Sequence, residues 1–517
     1  MITGSLKSKI DSIWQDFYNE NMTQTQDIVH QITMLMFIKM LDDKQISVEA
    51  IANEIGETPD DEILTFKSGN YKNIEIKNGS ELVNFEIPYS DLRWKNFKNL
   101  NPDDLGKRIR DYVVPFVQDR TNKAVGQFAD FSEEYIYGFN KKERLLAKVV
   151  DKLSDPELNF ENTDVMGDVY EYMCGSGVSG QYRTPRHIID LAVEMMKPKL
   201  GEKIMDPAFG TAGFDVESAK YIQKHQPSEL LNIENRKTFE NDMFYGCDTD
   251  RSMARVGYMN CVLHNIKNPT ITVDSLLEAE NLKDIEGKFD LVLQNPPFAG
   301  ALEKEVVNSE LLTICDTKST ELLFVALMTK LLKIGGRGMS VVPSGVCENS
   351  GKAFKNLRKE LIDNQKLIGV ISMPNGIFAA PGAKGSASKG AGVKTYYLIF
   401  QKTDNGGTDN VWFYNMENDG FTLDGKHTPI DDNDIPDIIE RYNHLSEEMK
   451  RTRKDKSFMV PVDEIRKNDY SLAISKYREI EKPVITYRKT EDILKDIETS
   501  YSNEATIIAE LKKKMGV

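Results

Sequence analysis

Hydrophobic and polar positions divide the chain into regions of different period. In the first 150 residues Ile10, Ile13, Trp14 and Phe17 recur at i, i+3, i+4 and i+7, the spacing of one helical face. Residues 25–42 continue with Ile28, Ile32, Leu35 and Met36 on a similar stripe, so a mainly helical region is expected here. Between 64 and 88, Gly-Asn and Asn-Gly signals separate short alternating segments and predict a small hairpin. The charged stretch 130–160 reads as a link between two units.

From about 165 to 420 strands alternate with helices. Strands are expected at 203–205, 243–247, 271–273, 290–294, 338–342, 367–373, 395–401 and 411–415, and helices fall between most of them, including 185–196 and 320–333. That alternation predicts a mostly parallel sheet wrapped by helices, an α/β fold. The DNGGTDN loop (404–410) predicts that the last two strands form an antiparallel hairpin closing the sheet. Residues 379–392, AAPGAKGSASKGAG, read as a flexible loop. A polar region follows 420, then a helix over 435–450, and finally a stripe of Ile493, Ile497, Tyr501, Ile508 and Leu511. The expected organisation is an N-terminal mainly helical domain (1–155), an α/β domain (156–435) and a C-terminal helical region (436–517).

A chain of 517 residues is long for one core, which agrees with several domains. The formal net charge of −15 argues against a bare nucleic-acid binder, so any grip on DNA is local or borrowed from a partner. Cys174, Cys247, Cys261, Cys315 and Cys347 include no C-x-x-C pair, and the six histidines are scattered. Both features point to a reduced, cytoplasmic protein with no metal site. The N-terminal segment has no apolar signal core, and the longest apolar run, 322–328, is far short of the ~20 residues that span a membrane.

Four stretches carry chemistry. In IMDPAFGTAGFDVESA (204–219) a strand leads through Gly210 and Gly213 into a helix, which brings main chain and free N–H groups close to a ligand or simply makes a tight connection. In YGCDTD (245–250) Asp248 ends the next strand, where it either accepts both hydroxyls of a ribose or caps the following helix. Asp274 of VDSLL is placed near a cofactor's base or is another cap. Finally, QNPPF (294–298) ends a strand in an amide, two prolines and an aromatic ring. The prolines fix φ and remove two donors, so the Asn295 side chain and the Pro296 carbonyl offer acceptors to a planar amino group, and Phe298 offers a face for stacking.

The order and spacing of GQYRTPRHIIDLAVEMM, DPAFGTAGF, YGCDTD, VDSLL and QNPPF resemble the N6-adenine DNA methyltransferases, above all the modification subunit of type I restriction–modification systems. The similarity runs from SKIDSIWQDFYNENMTQ to FMVPVDEIRKNDYSLAISKY, nearly the whole chain. The resemblance implies a Rossmann-like methyltransferase sheet and S-adenosylmethionine as cofactor. It would assign Gln181, Tyr182, Arg183, Thr184, Pro185 and Arg186 to the methionine end. Asp206, Gly210, Thr211, Ala212 and Gly213 would line the cofactor, Asp248 would hold the ribose and Asp274 would lie near the adenine. Asn295, Pro296, Pro297 and Phe298 would form the catalytic motif, and Phe378 of MPNGIF would be a second stacking ring. This chain has Asp at 248 where type I relatives usually have Glu, and it carries the Gly/Ala/Ser/Lys stretch where the family has a short loop. The implied partners are double-stranded DNA, a specificity subunit that reads the site, a second modification subunit and a separate restriction subunit.

Other readings stay open on the residues alone. Release-factor glutamine methyltransferases share the Asn-Pro-Pro-aromatic motif, and a stand-alone DNA adenine methyltransferase would use the same site. No P-loop is evident anywhere, and the first 150 residues show no nuclease constellation. KRTRKDK (450–456) either contacts phosphate or is a solvated helix end, and the C-terminal stripe either docks on a partner helix or packs within the chain.

Overall fold

Strands buried on both faces need apolar residues in both alternating sets, and the inner strands of this protein's long sheet are of that kind. The computed structural model describes residues 4–77, 81–117, 119, 142–156, 158, 169, 172–173, 184–278, 282–298, 300–378, 393–423, 428–479 and 489–516. In chain order, β1 (Asn70–Lys77) and β2 (Glu81–Pro88) form the hairpin expected from the turn signals. The main sheet takes β3 (Ile204–Asp206), β4 (Phe244–Asp248), β5 (Thr270–Val273), β6 (Phe289–Gln294), β7 (Leu332–Pro343), β8 (Lys366–Ser372), β9 (Thr395–Gln401) and β10 (Asn410–Asn415). A short pair, β11 (Asp419–Phe421) with β12 (Pro429–Asn433), stands apart, and β13 (Ser457–Pro461) joins the main sheet at its edge.

The order across that sheet is β13-β10-β8-β9-β7-β6-β3-β4-β5. Pairs among β3 to β7 are parallel, as the alternation predicts. On β6, Leu291 and Leu293 join the core on one face while Val292 joins the core on the other. The expected β9–β10 hairpin does not form. β9 inserts antiparallel between β7 and β8, and β10 pairs parallel with the far side of β8 and antiparallel with β13. The reason is burial: Val411, Trp412, Phe413 and Tyr414 are all fully buried, so β10 needs cover on both faces and a neighbour on both sides. The glycine-rich loop, with Asp404, Gly406 and Gly407 at positive φ, therefore turns the chain across β8 instead of folding it back on β9.

Three further expectations change. Residues 28–42 of the helix Thr25–Glu54 are buried on every side, not along one stripe. The part of 130–160 expected to be a linker contains the helix Glu143–Leu153, whose Leu145, Leu146, Val149, Val150 and Leu153 are buried and whose Lys152 pairs with Asp16 of the helix Gly4–Asn19. Its charges lie on one face and its apolar residues on the other, so composition concealed an amphipathic helix. The helix expected over 435–450 ends at Asn443. Residues Met1–Tyr477 form one compact unit, and Arg478–Val517, with the helix Thr490–Met515, is a second. No helix among the described residues is long and apolar enough to cross a membrane.

Candidate active site

Parallel strands end on one edge, so β3, β4, β5 and β6 deliver their C-terminal residues to the same side of the sheet. The order reverses at β3, with β4 and β5 to one side and β6 and β7 to the other. Open α/β sheets leave a crevice at such a reversal. Asp206 ends β3 and Gln294 ends β6, its immediate neighbour, so residues 206–213 and 294–298 flank that crevice.

The loop after β3 is held from below. Asp206 is buried and its Oδ1 accepts the Ala208 N–H at 3.0 Å. The Phe209 N–H donates to the Cys247 carbonyl at 2.9 Å. The Phe209 ring fits only because two neighbours lack side chains. A Cβ at Gly246 on β4 would lie 2.1 Å from Phe209 Cδ2, and one at Gly257 in the helix Arg251–Leu263 would lie 2.4 Å from Phe209 Cε1. Gly210 (φ 51) and Ala212 (φ 63) take left-handed backbone, which turns the chain sharply into the helix Gly213–His225. A Cβ on Gly213 would meet Ile189 Cδ1 at 2.7 Å, so the start of that helix presses against the helix Arg186–Met196.

Asp248 fastens this loop to β4. Its Oδ2 accepts the Gly210 N–H and its Oδ1 the Asp250 N–H, each at 2.8 Å. The helix cap that was a rival role for Asp248 belongs to Asp250, whose Oδ1 accepts the N–H groups of Ser252 (2.8 Å) and Met253 (3.3 Å). Burial raises the Asp248 pKa, against the opposing pull of its backbone hydrogen bonds. Burial pushes Asp206 up to about 8, and the charge of Asp248 adds to it. Asp274 lies next door: its N–H donates to the Asp248 carbonyl at 3.1 Å, while its exposed carboxylate accepts its own neighbour's Ser275 N–H at 2.7 Å.

Across the crevice, Gln294 explains why an apolar strand ends in an amide. It is fully buried, and its Nε2 donates to Ser340 Oγ on β7 at 3.0 Å and to the Phe324 carbonyl of the helix Thr320–Leu331 at 3.2 Å. Asn295 Nδ2 donates to Thr184 Oγ1 at 2.8 Å, a contact between residues 111 apart in the chain. Pro296 is buried and Pro297 exposed, and the Pro297 carbonyl accepts a long hydrogen bond from Thr320 Oγ1 at 3.4 Å. The rings of Phe298 and Phe378 meet with centroids 6.0 Å apart at 74°. Thus the two rings separated by 80 positions come together, and so do Thr184 and Asn295. Pro185 precedes the helix Arg186–Met196, and Arg186 pairs with Glu217. Gln181, Tyr182 and Arg183 lie outside the described residues, as do 379–392.

Three of the five basic residues in 450–456 pair with the chain's own acids. Arg451 pairs with Glu448 and Asp455, Arg453 with Glu464 at 2.6 Å, and Lys456 with Asp434 at 2.7 Å. Phe209, Gly246 and Gly257 are site residues that motif reading passed over. The usable signal was glycine in the middle of a strand and in the middle of a helix, where it is costly unless something must approach closely.

Comparison with known proteins bears on the same residues. Residues 161–483 match the N-6 DNA methylase family and residues 6–153 match the HsdM N-terminal domain. The methylase subunit of the Escherichia coli type I restriction enzyme EcoEI is 28% identical over 382 residues, 72% of this chain and 73% of the relative. Among solved structures, the type I restriction–modification methyltransferase subunit of Streptococcus thermophilus aligns over 92% of this chain and 99% of its own, with 17% identity and a TM-score of 0.63. A chain from a structure of type I system assembly and conformational transition aligns over 99% of both chains, with 21% identity and a TM-score of 0.56. These two share the fold. The family match spans more than half of the sequence and takes in every crevice residue described above, and the chain belongs to the N-6 DNA methylase family, as a type I modification subunit.

Proposed function

We propose that the crevice binds S-adenosylmethionine on the β3–β4 side and an everted adenine on the β6 side, and that the chain methylates adenine N6 in DNA. The observation that carries this reading is the Asn295–Thr184 hydrogen bond at the end of β6. It ties down the amide nitrogen, so the oxygen is the end that accepts from a substrate amine. When bound, the cofactor supplies an electrophilic methyl on a sulfonium centre.

The residues present fit such a cofactor. Each Asp248 oxygen accepts one backbone N–H and keeps acceptor capacity for a ribose hydroxyl. The left-handed turn at Gly210 brings main chain to the crevice. Adenine N6 is a weak nucleophile because its lone pair is delocalised into the ring. Acceptance of its two N–H bonds by Asn295 Oδ1 and the Pro296 carbonyl favours a more tetrahedral nitrogen, and alignment supplies much of the rate. Turning the base out of the duplex costs a few kcal/mol, and stacking on Phe298, with the Phe378 ring at its edge, returns about 1–3 kcal/mol. No general base is required, since the proton leaves after transfer.

The relatives are named as methylase subunits of type I restriction enzymes, which supports assembly with a DNA specificity subunit, a second modification subunit and a restriction subunit. The net charge of −15 and the internal pairing of 450–456 support sequence reading by another chain. The free, buried cysteines 247, 261, 315 and 347 suit the cytoplasm, where the DNA substrate is found.

The test is transfer of a radiolabelled methyl group to DNA, with and without the specificity subunit, followed by nucleoside analysis. Label is expected on N6-methyladenine. Asn295→Ala should lower transfer by at least about 10²-fold with cofactor binding nearly intact, whereas Asp248→Ala should weaken cofactor binding. Label on a protein glutamine would overturn the DNA reading, and equal loss of cofactor binding in both variants would overturn the division of roles.

A further inference from the structure

The helix Arg251–Leu263 belongs to none of the motifs that define the site, yet one of its faces touches each turn of the cofactor loop. Gly257 gives way to the Phe209 ring and would, with a Cβ, stand 2.9 Å from the Gly210 carbonyl. One turn later Asn260 Nδ2 donates to the Thr211 carbonyl at 2.9 Å. Asn260 is 1% exposed, and its Oδ1 has no partner among the described residues. Burying an amide in such a place is costly, and the bond to Thr211 is the contact that offsets it. Asn260 also stands apart from helix packing, which Tyr258, Met259, Cys261 and Val262 supply with apolar side chains.

We propose that Gly257 and Asn260 are positioning residues that set the S-adenosylmethionine affinity of this methyltransferase by fixing the path of Phe209–Ala212. The proposal rests on the cofactor assignment above. Gly257 fixes how close the loop lies to the helix, and Asn260 fixes the direction of the Thr211 carbonyl. That direction determines which main-chain groups of Thr211–Gly213 face the crevice.

The experiment measures S-adenosylmethionine binding by calorimetry, methyl-transfer kinetics, and thermal unfolding without cofactor, on the full chain. Asn260→Ala is expected to raise Kd and KM for the cofactor about tenfold, the effect of one buried hydrogen bond, while kcat at saturation stays within about threefold. Asn260→Asp supplies a second readout. As a protonated acid near pH 6 it can donate to the Thr211 carbonyl and should bind nearly as the native chain does. Ionised near pH 8.5 it accepts only, and its affinity relative to native should fall. Asp206 and Asp215 lie on the neighbouring elements and Cys261 and His264 on its own. Burial raises Asp206 to about 8 and lifts Asp215 and Cys261 well above their ordinary values, and it lowers His264 to about 4; these groups are common to both chains, so the ratio of variant to native is the quantity read.

Native-like affinity in Asn260→Ala, or a variant-to-native ratio for Asn260→Asp that does not change with pH, would overturn the proposal while leaving the cofactor reading intact. A native chain that binds no S-adenosylmethionine would instead bring down the reading on which it rests. An Asn260→Ala chain that fails to fold leaves the Asn260→Asp ratio to decide.

Discussion

Between Asp206 and Gly213 the chain is gripped from within. One residue is wedged between two glycines, two backbone N–H groups end on acids, and a carbonyl is held by a buried amide. Along Thr490–Met515 no side chain is buried: Ile497 is 45%, Tyr501 69% and Leu511 52% exposed. Both segments carry a strong sequence pattern, glycines at a strand–helix turn in one and an apolar stripe in the other. The first pattern is satisfied by contacts inside its own unit, and the second is not. An isolated helix gains little stability in water without packing, so the stripe is a face in want of a packing surface, whereas the loop's contacts are complete within its own unit.

The loop should tolerate far less substitution than the helix. Phe209→Ala empties the space between Gly246 and Gly257 and should cost about 3–5 kcal/mol in urea unfolding, with a matching loss of cofactor binding. A cost below about 1 kcal/mol would mean that the ring is not the wedge described. The next effect depends on pH. Asp206 holds its proton up to about pH 8 in the folded chain, whereas an unfolded carboxyl releases it near pH ~4. Its contribution to stability is therefore full below that lower value and is lost as pH rises toward 8. Asp206→Asn should gain on the native chain by a growing margin between pH 5 and 8, up to a few kcal/mol without cofactor. Unfolding at pH 5, 6.5 and 8 gives that margin, and a constant difference would reject it. The smallest effect belongs to the helix. Ile497→Asp with Ile508→Asp should change the melting of this chain by less than about 0.5 kcal/mol equivalent yet abolish co-elution with the specificity subunit. Unchanged co-elution would remove the helix from the partner surface.

Much of the sheet was legible because a strand buried on both faces needs two apolar sets, as at Leu291, Val292 and Leu293. The placing of β9 between β7 and β8 was not, because a turn motif reports local backbone and not which strand edge lies open. The charged helix Glu143–Leu153 was hidden by composition for a related reason: charge density says nothing of the face on which it falls. At the site, Asn295, Phe298 and Asp248 stood out by motif. Thr184 was assigned by family analogy to the cofactor, while the structure sets its hydroxyl against Asn295, a pairing across the fold that no spacing encodes. Gln294, Gly246, Gly257 and Asn260 act through packing and buried hydrogen bonds, which appear only when the elements are assembled.

The helix Thr25–Glu54 is buried on all sides over residues 28–42. His30 Nε2 lies 3.0 Å from Ser252 Oγ at one end of the helix Arg251–Leu263, and Lys44 Nζ donates to the Val262 and Leu263 carbonyls, each at 3.1 Å, at the other. A truncated chain beginning beyond residue 54 would uncover the buried surface this helix covers beside the helix Arg251–Leu263 and remove the lysine that quiets its last carbonyls. Chimeras between relatives will therefore need to exchange this rod together with its cradle.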